Sequence, residues 1–196
     1  MATVVAGFSM SLDGFVADRS DNVGPLFDWY GNGEVEVRWP GNDMVSHTTP
    51  QSANYLHDLI DGAGALVVGR RIFDYTSGWA GRHPLGVPVW VVSHTVPDGW
   101  PRDDARFTFV TDGVPRAVAE AKAAAGDKAV GVAGPNIAQQ CLNLGLLDEV
   151  RVDLVPVLLG DGIRFFDNLA RAPSMFEDPE ITEGDRVLHL RYLVRR

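Results

Sequence analysis

The sequence predicts a mixed α/β fold: a mostly parallel sheet covered by helices on both faces, with an antiparallel edge formed late in the chain. Three observations carry that prediction. Short apolar, β-branched runs alternate with helical segments between residues 50 and 144, the pattern of a covered parallel sheet. Several of those runs end in polar or glycine-rich turns that open helices. The last two runs, residues 150–159 and 187–194, have no helix between them, so they are expected to pair antiparallel.

Residues 3–9 read as the first strand, apolar and β-branched at its start. Ser11-Leu12-Asp13-Gly14-Phe15-Val16-Ala17 breaks and resumes around a glycine. Residues 18–49 lack periodicity, are rich in Gly, Asp and Asn, and hold Trp29, Tyr30 and Trp39. So long a connection points to function or mobility; its aromatic residues point equally to a subunit contact. A helix opens at Pro50 with Thr49 as N-cap and runs through Tyr55, Leu56, Leu59 and Ile60. Residues 65–68 are a buried strand, 72–76 a short helix, and 87–93 and 107–110 further strands. An Ala-rich helix over 114–125 ends at Gly126. A strand over 128–133 and a helix over 137–144, stopped by Gly145, complete the alternating part. A Gly/Pro-rich loop carrying Phe165-Phe166 joins the two late strands. With no internal repeat or interior linker, residues 1–196 are expected to form one domain.

The chain has 196 residues, 45% hydrophobic and 22% charged, an ordinary globular balance that excludes a disordered, collagen-like or coiled-coil chain. Net charge is −9, from 17 Lys and Arg against 26 Asp and Glu. With no basic run, neither nucleic acid nor an anionic membrane is an expected partner. The single cysteine, Cys141, excludes an intrachain disulfide and fits a reducing compartment. It falls on a helix face beside Ile137 and Leu142 and is expected to be a buried structural thiol. No apolar run approaches the ~18 residues of a membrane span, and the first residues lack the basic region of a signal peptide. A soluble cytoplasmic protein is the expectation.

No Ser/His/Asp arrangement stands out: Gly7-Phe8-Ser9-Met10-Ser11 lacks the second glycine of a nucleophile elbow. His47, His57, His83, His94 and His189 are scattered without zinc-site spacing, so no metal is expected. Neither a P-loop nor a G-x-G-x-x-G motif is present. Four strands nevertheless end in Gly69-Arg70-Arg71, Ser93-His94-Thr95, Thr111-Asp112-Gly113 and Gly134-Pro135-Asn136. In open α/β sheets ligands bind beyond the carboxyl ends of strands, where helix N-termini offer N–H groups and partial positive charge. Each turn alone is explained by chain reversal. Together, with two arginines at a helix start where the dipole would prefer carboxylates, they point to a nucleotide.

The order of these motifs resembles the dihydrofolate reductase-like superfamily, and within it the reductase domain of riboflavin-biosynthesis deaminase-reductases. Ser11-Leu12-Asp13-Gly14-Phe15-Val16-Ala17 is similar to the family's S-x-D-G-x-x-A, and Gly69-Arg70-Arg71-Ile72 to its G-R-x-T helix start. Val91-Val92-Ser93-His94 resembles V-x-S-R/H; Gly145-Leu146-Leu147-Asp148-Glu149 and Pro156-Val157-Leu158-Leu159-Gly160 resemble G-L-[VI]-D-E and P-V-x-L-G. The resemblance covers nearly the whole chain. It implies a stand-alone, three-layer α/β/α dihydrofolate reductase-like fold with a mostly parallel central sheet and an antiparallel C-terminal edge. It also implies an NADPH-dependent reductase. Gly69, Arg70 and Arg71 would then hold the diphosphate and adenosine side, and Ser93, His94 and Thr95 the 2′-phosphate and ribose. Thr111 and Asp112 would flank the adenine. Gly134, Pro135, Asn136, Ile137, Ala138 and Gln139 would carry the diphosphate on a helix N-terminus, with Ala17 near the nicotinamide.

Two departures bear on the site. The family commonly has two glycines joined by a cis peptide where this chain has Ala133-Gly134, so a cis bond is expected within Ala133–Pro135. The helix carboxylate of ordinary dihydrofolate reductases is missing, because its place falls near Ala53 and Asn54, with Asp58 a turn further on an exposed face. The substrate expected is therefore a small heterocyclic or ribosyl-aminopyrimidine compound. A dihydrofolate reductase and a non-enzymatic NADP-binding homolog are the alternatives. Asp13 is the candidate catalytic residue, in a loop beside the nicotinamide end; Gln51, Tyr55 and Trp79 are candidates for substrate binding. A homodimer through the late strands and the Trp29-Tyr30 loop is the expected assembly.

Overall fold

A computed structural model describes residues 2–170 and 172–195. In chain order its elements are β1 (Val4–Ser11), β2 (Phe15–Ala17), a 3-10 turn (Gly24–Gly31), β3 (Val35–Arg38), β4 (Val45–Thr48), α1 (Pro50–Gly62), β5 (Ala63–Gly69) and α2 (Arg70–Tyr75). A second 3-10 turn (Ser77–Gly81) follows, then β6 (Val89–Val92), β7 (Phe107–Val110), α3 (Val114–Ala125), β8 (Ala129–Ala133) and α4 (Pro135–Asn143). The chain ends with β9 (Glu149–Val155), β10 (Ile163–Arg164), β11 (Glu180–Gly184) and β12 (Val187–Leu193).

The main sheet has eight strands in the order β11-β12-β9-β1-β8-β5-β6-β7. The six from β9 to β7 are parallel; β12 and then β11 add antiparallel. Alternation along the strands sends Val4, Ala6, Val130, Val132, Ala65 and Val67 into one buried cluster with α3 and α4. The opposite face carries two clusters. One gathers Leu26, Trp29, Val37, Trp39, Ala53 and Leu56 under α1; the other packs Leu66, Val68, Val89 and Val91 with Phe73 and Phe107. Helices on both faces of a mostly parallel sheet with an antiparallel edge make the three-layer arrangement expected from the sequence.

The caps follow the chemistry read from sequence. Thr49 Oγ1 accepts a hydrogen bond from Ser52 N at 3.3 Å, satisfying one of the first-turn donors of α1. Helix α3 runs to Ala125 and stops at Gly126, whose φ of 64° only glycine adopts freely.

Other expectations are corrected. Residues 18–49 are not one irregular loop but hold a 3-10 turn and the β3–β4 hairpin; strands of four residues are too short to declare a period. Trp29 and Trp39 are buried, at 2% and 7% exposure, so they bind this segment to α1 and offer no surface to a second subunit. Strand β9 ends at Val155 rather than Leu159, and the outer antiparallel strand is β11, which carries only Ile181 as an aliphatic residue. No cis bond lies within Ala133–Pro135. Among the described residues the cis peptides are Trp100–Pro101 and Ala172–Pro173. Gly134, at φ 108°, makes the sharp turn instead.

Candidate functional site

Because the six central strands are parallel, the turns after β8, β5, β6 and β7 open on one rim. Strand β1 pairs with β8 only over Val4–Ala6, whereas its pairing with β9 continues to Ser11. The sheet therefore splits between β1 and β8 toward that rim. At the mouth of the split Gly134 opens α4 without a side-chain cap or an acidic first-turn residue, leaving first-turn N–H groups available to a ligand. The turns after β8 and β5 touch. A Cβ on Gly134 would lie 3.5 Å from Gly69 N, and one on Gly69 would lie 3.2 Å from Ile137 Cγ1. Glycine at both positions is what lets the two backbones approach.

Arg70 and Arg71 stand at this junction. Arg70 Nε binds Asp74 at 2.7 and 2.8 Å, and its Nη1 reaches Thr95 O at 3.2 Å. Ser93 Oγ donates to Thr95 O at 2.6 Å, so the turn after β6 is tied to α2. Arg71 Nε pairs with Asp21 at 2.7 Å, and Arg19 Nε pairs with Asp161 at 2.6 Å. The start of the loop after β2 is thus tied on one side to α2 and on the other to the segment after β9. His94 and Thr95 are exposed, as are Thr111 and Asp112; Asp112 pairs with Arg116 one helical turn on. In the first turns of α4 Asn136 is exposed, whereas Ile137, Ala138 and Gln139 are buried. The Gln139 amide donates to Phe165 O at 3.0 Å.

Beside α4 lies a cleft of about 410 Å³ lined by Phe15, Pro135, Asn136, Gln139, Asp161 and Arg164 among others. Arg164 sits over the Phe15 ring at 4.6 Å. Ala17 is buried next to it, paired with Ile163 of β10. Asp13 accepts from Ser11 Oγ at 2.6 Å, Leu159 N at 3.2 Å and Gly160 N at 2.7 Å. The Ser11 hydroxyl, ahead of the two amides, holds its carboxyl below the usual range. Asp13 thereby clamps the loop after β9 to the β1–β2 turn.

A second polar group lies on the α1 face. Ser9, Asp153, His189 and Thr182 form one row across β1, β9, β12 and β11. Ser52 Oγ lies 2.9 Å from His189 Nε2, and His189 Nδ1 lies 2.7 Å from Asp153 Oδ1. Tyr55 stacks on His189 with ring centres 4.0 Å apart. Trp29 Nε1 donates to Ser9 Oγ at 3.1 Å. Burial first, and then the Asp153 charge, push the Tyr30 and Tyr55 hydroxyls far above the usual tyrosine range. Both rings stay neutral donors.

The model of the RibD C-terminal domain matches residues 2–189. The chain belongs to that family. No curated protein matches it. Among solved structures, this RibD C-terminal chain is similar over its whole length to a protein provisionally assigned to riboflavin biosynthesis in Shewanella sp. PV-4. That likeness has 24% identity, a TM-score of 0.72 and full coverage of both chains. A dihydrofolate reductase of Enterococcus faecalis, solved with NADP(H), matches with 10% identity and a TM-score of 0.59, covering 99% of this chain and 97% of that one. A Thermotoga maritima diaminohydroxyphosphoribosylaminopyrimidine deaminase/5-amino-6-(5-phosphoribosylamino)uracil reductase matches with 11% identity and a TM-score of 0.64. It is covered over 57% of its length and covers 99% of this chain. At these identities the likeness shows the dihydrofolate reductase-like fold.

In this RibD C-terminal domain the predicted rim residues gather on one edge, but the other candidates disperse. Tyr55 belongs to the α1 cluster, next to Asp153. Gln51 is exposed at the start of α1. Trp79 packs with His83 and Phe107 in the cluster under β5, β6 and β7, away from Tyr55. A Ser/His/Asp chain does exist, contrary to expectation, in Ser52, His189 and Asp153. Its members lie 101 and 36 residues apart, by subtraction of their numbers, and meet only through the β9–β12 register. The sole trace in sequence is one polar residue at an inward position of each element. Cys141 is fully buried, and burial pushes its thiol up to about 12. Among the described residues no cluster of His, Cys, Asp or Glu is able to hold a metal ion, and no helix is long and apolar enough to cross a membrane.

Proposed function

We propose that the chain is an NADPH-dependent reductase acting on a ribosyl-aminopyrimidine-type substrate. The observation that carries this reading is the split between β1 and β8, with the two glycine turns touching at its mouth. There the uncapped N-terminus of α4 meets two arginines. A dinucleotide diphosphate needs backbone N–H donors at close approach together with nearby cations, and this donor set fits it. Gly69 and Gly134 would admit the diphosphate against bare backbone. The guanidinium N–H groups that Asp74 and Asp21 leave unused would meet phosphate oxygens, since each guanidinium carries five donors.

Ser93, His94 and Thr95 would face the 2′-phosphate side, Thr111 and Asp112 the adenine, and Ala17 the nicotinamide end of the split. Bound NADPH supplies a hydride to the carbon of a C=N or C=O bond, whose heteroatom takes a proton. Tyr55 and Gln51 would border the substrate from α1. Asp13 would serve by holding Leu159 and Gly160 against the β1–β2 turn, and Trp79 by packing the adenosine side. Dihydrofolate is disfavoured, because the buried residues of α1 are Ser52, Ala53 and Leu56 and none is acidic.

Thermal unfolding with NADPH and NADH tests the reading. A ligand at one hundred times its Kd stabilises by about 2.7 kcal/mol, which for this size raises Tm by roughly 5–11 °C. NADPH is expected to give that shift and NADH a small one, with Arg71→Ala reducing the NADPH shift more. Equal shifts from the two cofactors would remove the 2′-phosphate role, and no shift from either would remove the reductase reading.

A further inference from the structure

Ser52, His189 and Asp153 are linked in the order of a hydrolytic triad, at 2.9 and 2.7 Å. The serine is nevertheless sealed. Its residue is 1% exposed, and a Cβ on Gly184 would stand 2.3 Å from its hydroxyl. No electrophile reaches it, so attack by Ser52 is excluded on steric grounds.

The other end of the chain is open. The Asp153 side chain is 13% exposed against 1% for His189. A carboxylate only accepts, so His189 Nδ1 carries a proton and donates to Asp153; in the neutral imidazole the Ser52 hydroxyl donates to Nε2. The imidazole is held between Tyr55, stacked at 4.0 Å, and Trp29, edge-on at 4.9 Å. Its position is fixed on every side, and through it so is the carboxylate. His189 uses one of roughly four lone-pair sites on Asp153.

The neighbouring sheet surface is uncovered. Gly7, two residues before Ser9 on the same face of β1, is exposed, and the only atoms near a Cβ there belong to Arg151. Arg151 itself stands two residues before Asp153 on that face of β9. The Asp153 acceptor and the Arg151 side chain, whose Nε is bonded to Glu149 at 2.6 Å, thus flank an open patch at the edge of the β1–β8 split.

We propose that His189 is a positioning residue, which fixes the Asp153 carboxylate and the Tyr55 hydroxyl as the pair that recognises a ring N–H of the pyrimidine substrate. The choice of a pyrimidine rests on the reductase reading; the hydrogen-bond chain does not.

The test is calorimetric binding of 5-amino-6-(5-phosphoribosylamino)uracil to the full chain in the presence of NADP+, which cannot reduce it, with NADP+ binding measured separately. His189→Phe keeps a ring between Tyr55 and Trp29 but removes both hydrogen bonds. It should weaken pyrimidine binding about tenfold or more, equivalent to about 1.4 kcal/mol, and leave NADP+ binding within about twofold. His189→Asn, which keeps a donor toward Asp153, should recover most of the loss. Where His189→Phe does not fold, Ser52→Ala is used and should give a smaller loss in the same direction. Pyrimidine affinity unchanged in a folded variant, equal losses for both ligands, or no pyrimidine binding by the wild-type chain each overturns the proposal. A chain that binds the pyrimidine through His189 but does not bind NADP+ upholds the positioning role and overturns the reductase reading.

Discussion

His83 shows how one half-buried side chain sets a condition on the whole fold. Its ring is packed against Trp79 at 4.6 Å, and its Nδ1 accepts from Leu85 N at 3.1 Å. The neutral ring therefore carries its proton on Nε2. Burial lowers its pKa from the ordinary 6.5 to about 4. Between those values the unfolded chain binds a proton that the native state refuses, so stability falls as pH falls. The contribution is fully present above pH 6.5 and is lost as pH drops toward 4, with a limit of about 3 kcal/mol. Urea unfolding at pH 7.5 and 5.0 is expected to show a lower midpoint at pH 5.0, and His83→Gln should flatten that difference. A wild-type difference that the variant retains in full would assign the pH dependence to other groups.

At the scale of the element, β11 and its turn into β12 depend on close approach. Gly184 presses on α1, where an added methyl would also stand 2.7 Å from Val187 Cγ1 and 3.3 Å from His189 Nε2. Gly184→Ala is expected to destabilise by about 1–3 kcal/mol through overpacking, read as a lowered urea midpoint. An unchanged midpoint would show that the hairpin shifts freely. This contact was invisible in the sequence, because Glu180–Gly184 holds only one aliphatic residue and no alternation to mark a strand. The strands with a β-branched buried run, such as Leu66–Val68 and Val89–Val92, were legible, as were helices with explicit stops at Gly126 and Gly145. The rim was legible too, since parallel strands bring their following turns to one edge. The Ser52–His189–Asp153 chain was not, because register between β9 and β12 decides which inward residues meet, and no local spacing encodes register.

At the scale of the molecule, the main sheet is two wings joined by a short seam. Strands β9, β12 and β11 hang on β1, and β5, β6 and β7 hang on β8, while β1 and β8 share only the Val4–Val130, Val5–Gly131 and Ala6–Val132 pairs. The buried cluster with α3 and α4 spans both wings and holds them together from one side. A ligand seated in the split contacts both wings at the point where their own pairing stops, so its binding energy resists their separation. Hydrogen exchange should then report the seam selectively. Adding NADPH is expected to slow exchange in β1 beyond Ala6 and at the β8–α4 turn. Exchange in β11, which forms the far edge of the sheet, should change little, because local openings there leave the seam intact. Protection spread evenly over all strands would mean that the ligand only shifts the global unfolding equilibrium. Protection confined to α3 and β7 would place the dinucleotide outside the split and separate the rim from the seam.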